Sequence, residues 1–370
     1  MNRGVMTGLG AVAAWLPALV ALCWAPLTQA ATLSWDELLT AAKREGKVVV
    51  IGPPDSEVRK SLPAAFTARY GITVEYLGGR TSEAAEKLRA ERRAGRYSVD
   101  VTIGGVQSMA TIFHREKMLI PLRPELILPE VVDGSKWKKG ELWFSDPEQQ
   151  YVLRLASTVS SSFYINTDKV KQDDLRSARD LLDPKWRGKI STQDPTVPGS
   201  GSNFAAQLYV DLGKDFVKQL YVDQKVAISR DTRQLTDWLL RGTYPIALTA
   251  ENDQVEAMRK EGLPVMTMGE MSDLRLSVSA GFGLVAIFTG APHSSAAKVF
   301  VNWLASKEGL ELWSRATRTS PTRNDIDETS FLPPADIPRP GTQYFDTYDW
   351  TFTTTTKEEA RLWLKALLAR

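Results

Sequence analysis

Apolar and polar positions recur along this chain with two alternating periods. Residues 34–46, SWDELLTAAKREG, carry apolar side chains three and four apart, the spacing of one helix face, with Ser34 or Asp36 at the cap and Gly46 as the stop. The next stretch, KVVVIG (47–52), is a short apolar run ending in glycine, the pattern of a buried strand. The same order returns as a helix in SEVRKSLPAAFTARYG, a strand in ITVEYLG (72–78), a helix in SEAAEKLRAERRAG and a strand in VDVTIGG (99–105). Strand, glycine turn and helix in succession predict an α/β domain with a mostly parallel sheet.

Further on the pattern changes. LIPLRPELILPEVVDGSKWKKG (119–140) is proline-rich and reads as surface, and YVLRLASTVSSSFYINT (151–167) reads as a long extended segment with a serine-rich middle. Such a segment suits a hinge crossing between two lobes, and equally a strand followed by a loop. A second α/β unit then begins, running through SARDLLDPKWRGKIST into TVPGSGSNFAAQLYVDL (196–212), then helix, strand and helix in LTDWLLRGTYPIALTAENDQVEAMRKEG, then a strand in VSAGFGLVAIF (278–288). Helices over 295–316 and 356–369 close the chain, and no internal repeat interrupts it.

The first thirty residues stand apart, with Arg3 as their single charge, a long apolar stretch and small residues before Ala31. They read as a secretory signal peptide cut after Ala30, giving a periplasmic protein; an uncleaved membrane anchor is the alternative. Cleavage there removes Cys23, the single cysteine, so the mature chain is expected to have neither disulfide nor thiol chemistry. At 370 residues, 43% hydrophobic and 24% charged, the chain is long enough for two globular domains. A net charge of +2, with acids and bases interleaved, argues against a nucleic-acid partner.

Candidate chemistry concentrates in the turns at strand ends: Gly52 to Ser56, Gly78 to Ser82 and Gly104 to Ser108. Ligands of open α/β sheets bind at that edge. Gly199, Ser200 and Gly201 stand before a helical pattern, where free N–H groups and the helix dipole favour an anion. A nucleotide loop is excluded because no lysine follows Gly201, and the dinucleotide fingerprint fails at Phe204. No G-x-S-x-G is present, and two histidines, His114 and His293, with no mature cysteine exclude the usual zinc clusters. A cysteine-free exported chain with no catalytic constellation has the profile of a binding protein.

GKVVVIGPP (46–54), ERRAGRYSVDVTIGG (91–105), YINTDKV (164–170), DLLDPKWRGKI (180–190), APHSSAAKVFVNWLASKEG (291–309) and SPTRND (320–325) together resemble the extracellular solute-binding proteins of ABC transporters, of the ferric-ion-binding type. The resemblance implies an α/β, two-lobed periplasmic-binding-protein fold with a hinge of crossing strands near residues 157–163, near 276–280 and after about 325. The first lobe is then 31–156 plus 277–325 and the second 157–276 plus 326–370. Where ferric binders carry adjacent tyrosines, this sequence has Glu251 and Asn252, and the position of a first-lobe histidine falls near Pro54. The resemblance therefore implies a small organic anion as ligand, a phosphonate, phosphate ester or carboxylate, held between Pro54, Asp55, Ser56, Gly79, Arg80 and Thr81 on one lobe and Gly199, Ser200, Gly201, Ser202, Asn203, Arg230, Glu251 and Asn252 on the other, with Ser160, Ser161 and Ser162 at the crossing. It implies no cofactor, a monomer, and as partners a membrane permease with its ATPase. Two alternatives stay open: a metal binder using Glu251, Asp253 and Asp55, and a secreted enzyme with Glu251 or Asp253 as base.

Overall fold

A computed structural model of the chain describes Met1 and residues 33–79, 81–160 and 163–369, without the side chains of residues 82, 252 and 253. Contacts divide the chain into Met1–Leu33 and Ser34–Arg370, and the architecture below is that of the second unit. The expected leader, Met1 aside, and Cys23 lie outside the described residues. Among the described residues no helix is long and apolar enough to cross a membrane.

In chain order the strands are β1 (Lys47–Gly52), β2 (Thr73–Gly78), β3 (Val101–Gly104), β4 (Leu153–Arg154), β5 (Thr158–Ser160), β6 (Tyr164–Asn166), β7 (Ile190–Gln193), β8 (Ala227–Ser229), β9 (Ile246–Ala247), β10 (Val265–Thr267), β11 (Ser277–Ser279), β12 (Leu284–Ile287) and β13 (Phe345–Asp346). They form a sheet of order β2-β1-β3-β12-β4, a second of order β10-β6-β9-β7-β8, and a small third of order β13-β11-β5. The strands β2, β1 and β3 run parallel, with β12 antiparallel to β3, and β8, β7 and β9 run parallel in the second sheet.

Local chemistry starts the first unit as the sequence predicts. Ser34 and Glu37 make a capping box ahead of the helix Trp35–Glu45, and Gly46 ends it at φ 74°, a left-handed angle open to glycine. Both faces of the first sheet are covered. Val48 and Val50 enter one core with Val101, Ile103 and Phe300, while Val49 and Ile51 enter another with Phe113 and Phe288. That period-two split explains why KVVVIG lacks polar alternation. Ile165, Ile190 and Ile246 build a separate core on the second sheet, with Tyr164 and Ala247 on its opposite face.

The extended segment 151–167 and the stretch 278–288, read as one strand, are each divided among sheets. Residues 151–167 supply β4 to the first sheet, β5 to the third and β6 to the second, so one extended segment passes through all three sheets. Residues 278–288 supply the end of β11 and then β12, separated by Gly281 at φ 56° and by a Gly283 N–H that donates to the Ala280 carbonyl at 2.6 Å. A turn that tight needs glycine where φ is positive. The proline-rich stretch is fastened from outside its own sequence: buried Asn302 accepts from the N–H groups of Ile127 and Leu128 and donates to the Glu125 carbonyl.

Candidate functional site

The expected first-lobe residues follow β1 and β2. Pro54 and Asp55 line a cavity of about 380 Å³, with Gly281, Phe282 and Thr319 on its other wall. This size suits a small molecule. The Asp55 carboxylate accepts from the Val58 N–H at 2.9 Å and caps the helix Ser56–Tyr70, so that oxygen already has a structural partner. Gly79 continues the β1–β2 ladder by donating to the Gly52 carbonyl at 2.9 Å. Thr81 is buried against Gly104, where an added Cβ would stand 2.6 Å from its methyl group. Arg80, Ser161 and Ser162 lie outside the described residues; Ser160 ends β5 and pairs in register with Ser277 of the third sheet.

The second-lobe residues stand at the ends of β7, β8 and β9. After β7 the chain turns through Asp194 to Gly199 and enters the helix Ser200–Lys218. Two donors converge on one oxygen there: the Gly201 N–H (3.1 Å) and the Ser200 hydroxyl (2.7 Å) both donate to Oε1 of Gln193. The Ser202 hydroxyl accepts from the Gly199 N–H at 3.1 Å, and Asn203 donates its N–H to the Gly199 carbonyl. The turn therefore aims two donors at one point, and the acceptor they meet there is an amide oxygen of the chain itself. An added Cβ at Gly201 would meet the Gln193 carbonyl oxygen at 2.2 Å, so glycine is required by a close backbone approach.

Arg230 follows β8, and its Nε donates to Oδ2 of Asp194 at 2.9 Å. Burial pushes the Asp194 carboxyl up, but hydrogen bonds from Thr196 and Arg230 outweigh it and hold the group below the usual range. Glu251 is exposed at the cap of the helix Asn252–Lys260, and Asn252 opens that helix. Neither Asp55 nor Glu251 belongs to a metal-type cluster among the described residues. The one such group there is His114, Asp146 and Glu148, whose ligand-type atoms lie within 4.8 Å of one another. Asp146 spends both oxygens on the N–H groups of Gln150, Tyr151 and Val152, which fastens its own loop. His293 takes Asp100 as partner at 2.8 Å.

The C-terminal segment after residue 325, expected to cross back and close with a helix, also reaches these loops. The Tyr348 hydroxyl donates to the Gly281 carbonyl, and an added Cβ at Gly105 would come 3.5 Å from it. Burial pushes the Tyr348 phenol up to about 12, so it stays a neutral donor. Lys357 Nζ donates at 2.8 Å to Oε1 of Gln107 in the one-turn helix Val106–Ser108 after β3, and Arg361 Nη1 donates at 2.7 Å to the Thr196 carbonyl in the loop after β7. The signal for these contacts is weak in the sequence, because the partners lie more than 150 residues apart.

Two open α/β sheets joined by a third sheet of crossing strands, with glycine loops at the strand ends, define a two-lobed periplasmic-binding-protein fold. The chain belongs to the family of bacterial extracellular solute-binding proteins, whose pattern matches residues 61–337. Members of this family are the solute-binding components of ABC transporters and work with a membrane permease and an ATPase. A relative in Salmonella typhi, provisionally named a 2-aminoethylphosphonate-binding periplasmic protein, is 25% identical over 271 residues, covering 71% of this chain and 73% of that one. Among solved structures, a Trichodesmium protein in complex with iron and citrate superposes with a TM-score of 0.65 at 17% identity, covering 87% of this chain and 99% of that one. The periplasmic binding protein AfuA of Actinobacillus pleuropneumoniae, with fructose-6-phosphate bound, gives 0.56 at 18% identity, covering 88% and 99%.

Proposed function

We propose that this chain captures a small organic anion, a phosphonate, phosphate ester or carboxylate, in a cleft between two lobes and hands it to an ABC importer in the inner membrane. The observation that carries the reading is the start of the helix Ser200–Lys218, where the Gly201 N–H and the Ser200 hydroxyl converge on a single acceptor oxygen. A ligand oxygen that displaces the Gln193 amide meets the same two donors, and it gains the positive end of the helix dipole. A charged acceptor makes stronger bonds there than the neutral amide it replaces.

The lobes take the boundaries 31–156 plus 277–325 and 157–276 plus 326–370. Support for them comes from the strands: β1 to β4 and β12 share one sheet, β6 to β10 share another, and β5, β11 and β13 lie at the crossings. The Pro54 and Asp55 cavity beside Gly281 receives the other end of the ligand. Closing the cleft over an anion excludes water and strengthens each bond, and the bridging contacts shift the hinge toward the closed form that the permease recognises. The mature protein is periplasmic after removal of the leader near Ala30 and acts as a monomer without a cofactor.

A ferric ligand is the competing reading, because the structural neighbour from Trichodesmium holds iron. Against it, Glu251 and Asn252 stand where the ferric binders of the resemblance carry adjacent tyrosines, so the phenolate ligands of that type are missing from the matching turn, and one Asp55 oxygen is engaged in capping a helix. Native mass spectrometry of the periplasmic protein, followed by calorimetry with 2-aminoethylphosphonate, fructose 6-phosphate and ferric citrate, separates the two. A one-to-one complex with a phosphorus anion is expected. Binding of ferric citrate alone, abolished by a chelator, would overturn the anion reading.

A further inference from the structure

We infer that Lys357 is an anion-binding residue of the cleft, its ammonium completing the seat that the Gly199–Asn203 loop begins. The inference rests on the anion reading above and adds a cation to it from the C-terminal helix.

Position is the first argument. The helix Lys357–Leu368 lies along the helix Ser200–Lys218, where Ala360 packs with Ala206 and Tyr209. Lys357 and Arg361 are four residues apart and share a helix face. Arg361 holds the Thr196 carbonyl, three residues before Gly199, while Lys357 holds Gln107 after β3. Lys357 therefore stands between the strand-end loop of the first sheet and the loop that leads into the anion seat of the second. Gln107 follows a strand of the first sheet and Thr196 a strand of the second, so the helix that carries Lys357 and Arg361 contacts the strand-end segments of both.

Charge is the second argument. An ammonium has three donors, and the Gln107 amide oxygen takes one of them. Among the described residues, Lys357 forms no ion pair with a carboxylate. Its neighbour Glu358 is held by Arg361, whose Nε donates to it at 2.8 Å. Arg230, the cation expected at this seat, is bound to Asp194 at 2.9 Å. Burial lowers the pKa of Lys357, and the charge of Glu358, itself held by Arg361, offsets only part of that cost. A ligand carboxylate, phosphate or phosphonate arriving between Gln107 and Gly199 supplies a counter-ion.

The alternative role for Lys357 is a tie between the two lobes through Gln107, with no part in ligand binding. Calorimetry with 2-aminoethylphosphonate, fructose 6-phosphate and inorganic phosphate on the full mature chain separates the roles, using Lys357→Met, Lys357→Arg, Gln107→Ala and, as a control for net charge, the exposed Lys365→Met. If Lys357 binds the anion, Lys357→Met weakens the best of these probes roughly 10- to 100-fold, the range of a charge-assisted hydrogen bond. Lys357→Arg then recovers part of the loss, and Lys365→Met changes affinity less than about threefold because its charge is remote and screened. Gln107→Ala leaves the ammonium in place and keeps most of the affinity. Equal affinity in Lys357→Met and wild type, or equal losses in Lys357→Met and Gln107→Ala, overturns the assignment while leaving the anion reading standing. A wild type that binds none of the three probes overturns the anion reading itself and this assignment with it. Near-ultraviolet circular dichroism confirms folding, and Lys357→Arg serves as the test if the methionine variant fails to fold.

Discussion

Asp346→Ala is the sharpest test of how the crossing strands are held. Arg154 in β4 is fully buried and donates from Nη1 to Oδ2 of Asp346 in β13 at 2.6 Å. Its other partners are the Ala156 carbonyl at 2.9 Å, the Ser157 hydroxyl at 3.4 Å and the Trp143 ring, whose centre lies 4.0 Å from the guanidinium carbon. Removing the carboxylate leaves a buried guanidinium with no counter-ion, a change that costs about 3–5 kcal/mol in buried pairs. The Asp346 side chain is 29% exposed, so water enters the vacated space and the lower end of that range applies. Loss of the bond from the Tyr348 N–H to Oδ1 adds about 1 kcal/mol. The total is about 4 kcal/mol, which for a chain of this size lowers Tm by roughly 5 °C. Urea unfolding followed by tryptophan emission, with scanning calorimetry beside it, measures both quantities. The double variant Arg154→Met with Asp346→Leu removes both charges and is expected to recover most of the loss. A loss below about 1 kcal/mol in Asp346→Ala, or a double variant less stable than the single one, would refute the reasoning.

Three further outcomes follow from the same geometry. Gly201→Ala drives a Cβ into the Gln193 carbonyl and should lower stability by about 1–3 kcal/mol in thermal unfolding; substitutions at Gly201 therefore report packing before they report binding. Gln193→Glu sets a carboxylate on the donors that the amide now uses, so it should weaken 2-aminoethylphosphonate in calorimetry by about tenfold or more, while Gln193→Ala should not. Hydrogen bonds from Arg323 hold the Asp325 carboxyl below its ordinary 3.8, so its contribution is full above about pH 4 and is lost as pH falls through the lower, folded value. In urea titrations Asp325→Asn should accordingly be less stable than wild type at pH 6, with the gap narrowing toward pH 2.5, and a gap independent of pH would count against it.

The βαβ order of the first hundred residues was legible because its signals are local. Ser34 and Glu37 sit three residues apart, Gly46 takes the left-handed angle, and valines fill both faces of β1. The division of residues 151–167 among three sheets was not legible, since sheet membership depends on partners such as Val285 and Val278 that lie more than a hundred residues away. Glycine-rich strand ends marked the loops of the site for the same local reason that they marked turns. Gln193 gave no such signal: a glutamine at the end of a strand looks the same whether it faces water or fills a helix start. The contact of Lys357 with Gln107 was not legible either, because a lysine at the head of an amphipathic helix reads as a solvated charge until its helix is docked.

The C-terminal segment has a larger part in the site than its position at the end of the chain suggests. β13 adds Phe345 and Asp346 to the crossing sheet, Tyr348 reaches the Gly281 carbonyl beside the cavity, Lys357 reaches Gln107, and Ala360 packs on the helix whose start is the proposed anion seat. Within some fifteen residues the chain touches the hinge, the cavity wall, a first-sheet loop and the second core. A change of angle between the two sheets must lengthen, shorten or exchange at least one of these contacts, because they are fixed to different bodies. With the ligand site proposed above, ligand capture and the geometry of the tail are coupled, and the free energy of that coupling is set by contacts that each have a named partner. The Lys357 and Gln107 pair is where the coupling is easiest to read, since on the proposed reading the ammonium gives one donor to the Gln107 amide and its remaining donors to the ligand anion.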